Sequence, residues 1–421
     1  MMRRSIFFII ISICLLNINA LSQAKKLQYS ISTEPLSGKF NIALDFTAGN
    51  NTSTEIQLPD KFGNFTNAYR YVLLQKGKNI DSIEVKENDS AVVVLHHKPN
   101  LPVRFQYTLI NALRDSLPGR EPAYCIIIKP QYFNIPGEVL FAYPKECEKQ
   151  RVNVSIKWNN YPKGWSNLNS FGTNKQVHTL TNIYTSDFVR SIWAGGDYRV
   201  YTVTVNKKPV YFAIRGAWNF KDTEMLNMIQ KTIAGQRAFW NDYNISQYTV
   251  TLMPFLTEDE YSMSYQGTGL TNSFATWATT NKNTSPSSLT YLYNHELMHH
   301  WIGTLIKNEQ PEELLYWFSE GFTEYYTYKN MLESKFISES QYKRSLDSIL
   351  GIHYNDSVHA SPNTAIKENF WKDYKFQKLP YSRGRIFAWF TDLWIQKETA
   401  GKKSLKDVML LVLNKCRTER V

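Results

Sequence analysis

His295 and His299 stand four residues apart, and Glu296 directly follows the first of them, inside the run from Tyr293 to Gly303. On a helix, side chains four apart lie one turn above each other on the same face. Two imidazoles so placed can hold one metal ion, and the carboxylate beside the first can take a proton from water at that ion. The surrounding pattern predicts such a helix. Pro286 is followed by Ser287 and Ser288, either of which offers an N-cap. Leu292, His295, His299 and Ile302 recur at helical period, so the face that carries the histidines is apolar at both ends. By itself this pattern also fits a buried helix whose histidines only pack.

A second stretch narrows the choice. Leu314 to Thr327 is rich in aromatic residues and reads as another helix, with Glu320 set between apolar neighbours. A carboxylate there is costly unless it is paired or bound to metal. His295, His299 and Glu320 together make a three-ligand set that leaves a fourth position open to water, as a catalytic zinc ion requires. One Zn²⁺ per chain is expected. Glu324, one turn beyond Glu320, either accepts the free ring N–H of a ligand histidine or faces solvent.

The His295–His299 motif, followed by Trp317, Phe318, Ser319, Glu320, Gly321, Phe322, Thr323, Glu324 and Tyr325, resembles the zinc site of the gluzincin metallopeptidases. Within them it is similar to the glycyl-aminopeptidase-like family and, more distantly, to aminopeptidase N. The segment Pro380, Tyr381, Ser382, Arg383, Gly384 resembles the family's Tyr-x-x-Gly helix, and Ser404 to Met409 the turn that follows it. The resemblance implies that Glu296 is the general base and that Tyr381 donates a hydrogen bond to the developing oxyanion. It implies a substrate-binding edge strand at Gly269, Leu270, Thr271 and Asn272, where the family carries Gly-Leu-Glu-His. The departure at Thr271 matters, because aminopeptidases of this kind hold the substrate's free amine with a glutamate at that place. Thr271 has no charge to do so. The implied activity is therefore zinc-dependent peptide hydrolysis, aminopeptidase-like. The alternatives are an endopeptidase or a catalytically degenerate peptide-binding protein on the same scaffold.

The elements that would position these residues follow from pattern. The chain has 421 residues, 43% hydrophobic and 14% aromatic, enough for several cores. Its formal charge of +11 is spread among acids and accompanies no nucleic-acid motif, so a peptide or protein partner is expected and nucleic acid is not. Residues 1–24 read as a signal peptide: Arg3 and Arg4, an apolar run from Ile6 to Leu16, and Ser22 to Ala24 as a cleavage site. The expected location is secreted or periplasmic, with no membrane anchor after removal. Short alternating runs separated by turn residues predict a β-rich N-terminal domain over 25–206, in which His96 and His97 close a strand facing solvent. Cys125 and Cys147 can pair there in an oxidising compartment. The expected class is α+β multidomain. The β-rich domain is followed by a thermolysin-like (gluzincin) catalytic domain over 207–335 and a helical segment over 336–421 that carries Tyr381. Within these, helices are expected at Thr223 to Asp242 with Asp222 or Thr223 as cap, Ser338 to Leu350, Tyr381 to Glu398 and Leu405 to Leu413.

Overall fold

Alternation at period two builds the N-terminal half as strands whose one face is buried, as in Arg151–Asn159, where Val152, Val154, Ile156 and Trp158 all point into a core. A computed structural model describes residues 24–113, 123–255 and 262–418. The expected signal peptide, apart from Ala24, lies outside the described residues. Six strands form the largest sheet, in the order Val177–Tyr184, Arg151–Asn159, Lys25–Glu34, Lys39–Thr47, Pro102–Ile110, Val72–Lys78. Lys25–Glu34 runs parallel to Arg151–Asn159 and the other pairings are antiparallel. A four-stranded and a five-stranded sheet complete this half. Aromatic edges fill the space between, for example Phe40 against Phe133 at 5.1 Å between ring centroids.

Two expectations about this half are corrected. His97 does not face solvent; it is buried, with Nε2 bonded to Thr54 Oγ1 at 2.8 Å. Cys147 is a buried thiol and not half of a disulfide, and burial pushes its pKa up to about 11.

The next sheet has five strands in the order Arg199–Val205, Lys208–Ile214, Tyr248–Pro254, Ser273–Ala278, Tyr265–Leu270. The middle pairings are parallel, and Tyr265–Leu270 lies antiparallel at the edge. Arg199–Val205 and Lys208–Ile214 form a hairpin whose turn, Asn206 and Lys207, has positive φ at both residues. The boundary expected at 206/207 therefore falls inside a hairpin, and by sheet membership the division comes before Arg199. The two halves also share a core, since Ala213, Met253, Ala275 and Trp277 of this sheet pack into the β-rich cluster.

The helices follow: Asp222–Trp240, the motif helix Pro286–Met298, the glutamate helix Tyr316–Glu333, Glu339–Asn355, Asn363–Asn369, the tyrosine helix Tyr374–Glu398 and Leu405–Thr418. The whole is a mixed α+β fold with β-rich sheets first and helices last. Caps explain where sequence reasoning misplaced helix starts. The motif helix is capped by Ser285, one residue before Pro286: Ser285 Oγ accepts from Ser288 N, and Ser288 Oγ accepts from Ser285 N. The helix expected from Thr223 begins at Asp222 with Lys221 as its cap position. The tyrosine helix begins at Tyr374, seven residues before the expected start, because Asp373 caps it through Lys375 N at 2.9 Å. Pro380 then sits inside the helix and does not end it.

The glutamate and tyrosine helices cross at two glycines. A methyl group on Gly384 would stand 1.8 Å from the Trp317 carbonyl oxygen, and one on Gly321 would stand 2.3 Å from Gly384 Cα. The backbones are thus in direct contact, which no other residue type permits. Trp317 and Phe322 close the crossing against Phe387, at 5.5 and 6.2 Å between centroids. Farther along, buried Asp392 accepts from Tyr325 at 2.5 Å, Lys329 at 2.7 Å and Leu405 N at 2.7 Å. Burial alone would raise its pKa, but these donors hold it below the usual carboxylate range.

Gly384→Ala should push the two helices apart and destabilise the protein by about 1–3 kcal/mol, the usual cost of overpacking. Thermal unfolding checks this. A variant as stable as the parent would mean that the helices slide without strain.

Candidate active site

The motif helix brings His295 and His299 to one face, and the glutamate helix presents Glu320 to them. His295 Nε2 lies 3.2 Å from His299 Nε2 and 3.3 Å from Glu320 Oε2, and His299 Nε2 lies 3.4 Å from the same oxygen. The three atoms form a nearly equilateral triangle. Zinc bonds of about 2.0–2.1 Å at tetrahedral angles place ligand atoms about 3.3–3.4 Å apart. The donor set therefore fits a small tetrahedral cation, and it is the cluster of this kind among the described residues.

The second nitrogens of the histidines set their tautomers. His299 Nδ1 lies 3.0 Å from the Ile302 carbonyl, so Nδ1 carries the proton and Nε2 offers its lone pair. His295 Nδ1 is buried without a hydrogen bond, and Glu324 Oε1 stands 3.7 Å away. Glu324 is thus buried beside His295 and does not face solvent, but at this distance it accepts no hydrogen bond from the ring, so neither of its two expected readings is met as stated. It accepts the Tyr291 hydroxyl, whose ring in turn lies 5.8 Å from that of His295. Burial and the Glu324 charge push the Tyr291 pKa well up, which keeps the hydroxyl protonated as a donor.

Electrostatics separate the carboxylates. Burial would raise Glu320, but His299 and His295 outweigh it and pull its pKa well down, so it stays an anion. Burial raises Glu296, only partly offset by His299 and His295. A carboxylate with a raised pKa is a better proton acceptor at neutral pH. Tyr381 stacks on His295 at 6.0 Å, and burial followed by the Glu320 charge pushes its pKa up strongly. It is a neutral O–H donor next to the ligand triangle.

The motif helix is pinned by a buried amide that sequence reasoning missed. Asn294, next to His295, donates to Thr232 Oγ1 at 3.2 Å and accepts from Asn330 at 2.7 Å, and its carbonyl accepts from Gln236 at 2.7 Å. Three helices meet at this residue. Its signal in the sequence was only an Asn beside the motif, indistinguishable from a surface residue.

A cleft passes over the ligand triangle with two lobes that share Gly267, Glu296 and Tyr381. The smaller, of about 490 Å³, is lined by Gly269, Leu270 and Thr271, by His299 and Glu320, and by Asp187 and Arg190 of the β-rich half. The larger, of about 1010 Å³, runs along Tyr265, Gln266 and the tyrosine helix. Strand Tyr265–Leu270 therefore borders both lobes. Of the four residues expected to bind substrate, Gly269, Leu270 and Thr271 line the cleft. Asn272 does not: it forms the hairpin turn with Thr271, at φ 48°, and its carbonyl accepts from Thr249. Thr271 N donates to the Arg190 carbonyl at 2.8 Å, so the β-rich half holds the hairpin tip. That contribution was not legible, because the half carries no catalytic pattern of its own.

His295→Ala should abolish tight metal binding, since two donors of the triangle cannot complete the set. Glu324→Gln should weaken it by about 10–100-fold, the usual effect of changing the group behind a ligand histidine. Metal analysis after dialysis against graded chelator checks both. Undiminished stoichiometry in His295→Ala would overturn the ligand set.

Residues 288–380 match the model of the M61 glycyl aminopeptidase family. An aminopeptidase N family protein from Idiomarina loihiensis superposes with a TM-score of 0.71 at 16% identity, over 92% of this chain and 70% of that one. An M1 zinc metallopeptidase from Deinococcus radiodurans superposes more loosely, with a TM-score of 0.45 at 12% identity over 93% of each chain. The chain resembles the glycyl-aminopeptidase-like gluzincins in its site region and shares the fold of the aminopeptidase N family protein.

Proposed function

We propose that this protein is a zinc-dependent peptidase, aminopeptidase-like, with a thermolysin-like (gluzincin) catalytic region. The observation that carries the reading is the triangle of His295, His299 and Glu320 with Glu296 and Tyr381 on the same cleft. When bound, zinc supplies Lewis acidity and lowers the pKa of a water from about 15.7 toward about 7. Glu296 takes the proton of the attacking water and returns it to the leaving amine. Tyr381 donates to the oxyanion of the tetrahedral species. Tyr265–Leu270 is the outermost strand of its sheet among the described residues and borders the cleft, so an extended peptide could add beside it, a mode of recognition that reads main chain and not sequence. The N-terminal segment through Ala24 supports export to the periplasm or the medium.

A second reading, endopeptidase, is favoured by the hairpin tip. Thr271 carries no charge, and the charged group beside it is a cation: Arg190 Nη2 reaches the Gly269 carbonyl at 3.5 Å. Neither attracts a free α-ammonium group. Asp187 and Glu312 line the same lobe and are the acids there, outside the central Glu296 and Glu320, that can serve as an alternative anchor.

Glu296→Gln should keep zinc and lose about 10²–10⁴-fold in peptide turnover. Tyr381→Phe should keep zinc and lose about 10²–10³-fold in kcat. Hydrolysis of matched peptides with free and N-acetylated ends decides between the readings. Cleavage of free ends alone supports the aminopeptidase, and cleavage of both supports the endopeptidase. Zinc bound without turnover on either would leave a peptide-binding protein.

A further inference from the structure

Arg385 lies one turn beyond Tyr381 on the tyrosine helix and lines the larger lobe of the cleft, yet it is only 3% exposed. Its guanidinium carbon sits over the Tyr328 ring, 3.7 Å from the centroid, and Nη2 donates to Ser345 Oγ at 2.6 Å. Nε is buried with no acceptor. Among the described residues no carboxylate lies within ion-pair distance of it. The acids nearby are engaged elsewhere: Glu324 by Tyr291, Asp392 by Tyr325 and Lys329, and Asp356 by the Val358 amide. A buried guanidinium without a carboxylate is costly, because desolvation is not offset by a counter-charge.

The contrast with Arg237 is instructive. It too is buried with unmatched nitrogens, but the cavity it lines holds about 10 Å³, room for one water. Arg385 borders about 1010 Å³, room for several residues of a peptide. Lys378, seven residues earlier and hence on the same face of the helix, lines the same lobe with Nζ 5.5 Å from the Tyr381 ring centroid. Two cations therefore flank Tyr381 along one helix face. A planar guanidinium matches a carboxylate with two parallel hydrogen bonds, which a lysine cannot do.

We propose that Arg385, supported by the field of Lys378, binds a carboxylate of the substrate in the larger lobe. The inference rests on the peptidase reading for the identity of that substrate as a peptide. The carboxylate comes from one of two sources, the C-terminal α-carboxylate of a short peptide or an Asp or Glu side chain.

The test compares peptide pairs on the zinc-loaded full chain. One pair differs only in a free or amidated C-terminus. The other, amidated, differs only in Glu against Gln on the leaving side of the cleavage point. We expect kcat/KM to favour the carboxylate in one pair by at least about tenfold, as charged hydrogen bonds allow. The pair that responds identifies the source. Arg385→Gln should flatten the preference to within about twofold, and Arg385→Lys should leave a reduced one. No preference in either pair with the unmodified protein overturns the proposal, and this arm needs no variant that folds. Preference retained in a folded Arg385→Gln also overturns it. Calorimetric binding of the same peptides to Glu296→Gln separates the two readings. Tighter binding of the carboxylate peptide without turnover in the parent keeps this inference and removes the peptidase. Turnover without preference does the reverse.

Discussion

The contact of Gly321 with Gly384 is the constraint on which the site depends. Glu320 precedes the first glycine by one residue, and Tyr381 precedes the second by three. Backbone-to-backbone packing therefore fixes the distance between Glu320, one corner of the donor triangle, and the Tyr381 side chain. Any Cβ at the crossing would open the gap by the width of a methyl group and move both side chains at once. The Trp317, Phe322 and Phe387 rings and the buried Asp392 cluster hold the same two helices at points farther along. The triangle of donors is thus set by helix packing and not by side-chain flexibility, which is what a site that must hold its geometry without its cation demands.

What could be read from the sequence and what could not divide along a physical line. His295, His299 and Glu296 were legible because their spacing equals one helical turn, a local rule. Glu320 was legible because a carboxylate among aromatics has few stable explanations. Tyr381 was legible only through resemblance, since nothing local distinguishes it from an interface tyrosine. Asn294, Tyr291 and Arg385 were not legible: each acts through partners 33 to 62 residues away in sequence, among them Tyr328, Asn330, Glu324 and Thr232. The same division holds for the fold. Strands in the N-terminal half followed from alternation, whereas the hairpin that carries Asn206 and Lys207 across the expected boundary is a pairing between strands, which periodicity does not report. Pro380 misled in the other direction. A cap at Asp373 and tertiary packing outweighed its preference for ending a helix.

Burial organises the chemistry of the cleft by sorting its ionisable groups. All of Glu296, Glu320 and Tyr381 lose water, yet the outcome differs with the partner. Glu320 faces two imidazoles and remains an anion. Glu296 faces them only partly and rises, and Tyr381 faces an anion and stays a neutral acid. One desolvated space thus holds a permanent anion, a carboxyl shifted toward proton uptake and a neutral O–H, distinguished by neighbours and not by residue type.

The same reasoning separates the two ends of the cleft. At the hairpin tip uncharged Thr271 lies beside Arg190, and along the tyrosine helix Arg385 and Lys378 line the larger lobe. Each lobe also carries acids of its own, Asp187 and Glu312 in the smaller and Glu324 and Asp356 in the larger. The hairpin tip is held by the Arg190 backbone, and Arg190 belongs to the β-rich half. That half shares its core with the catalytic sheet through Met253 and Trp277. The cleft is in this way lined by the joined halves, while the donor triangle and its neighbours are built by the helices alone.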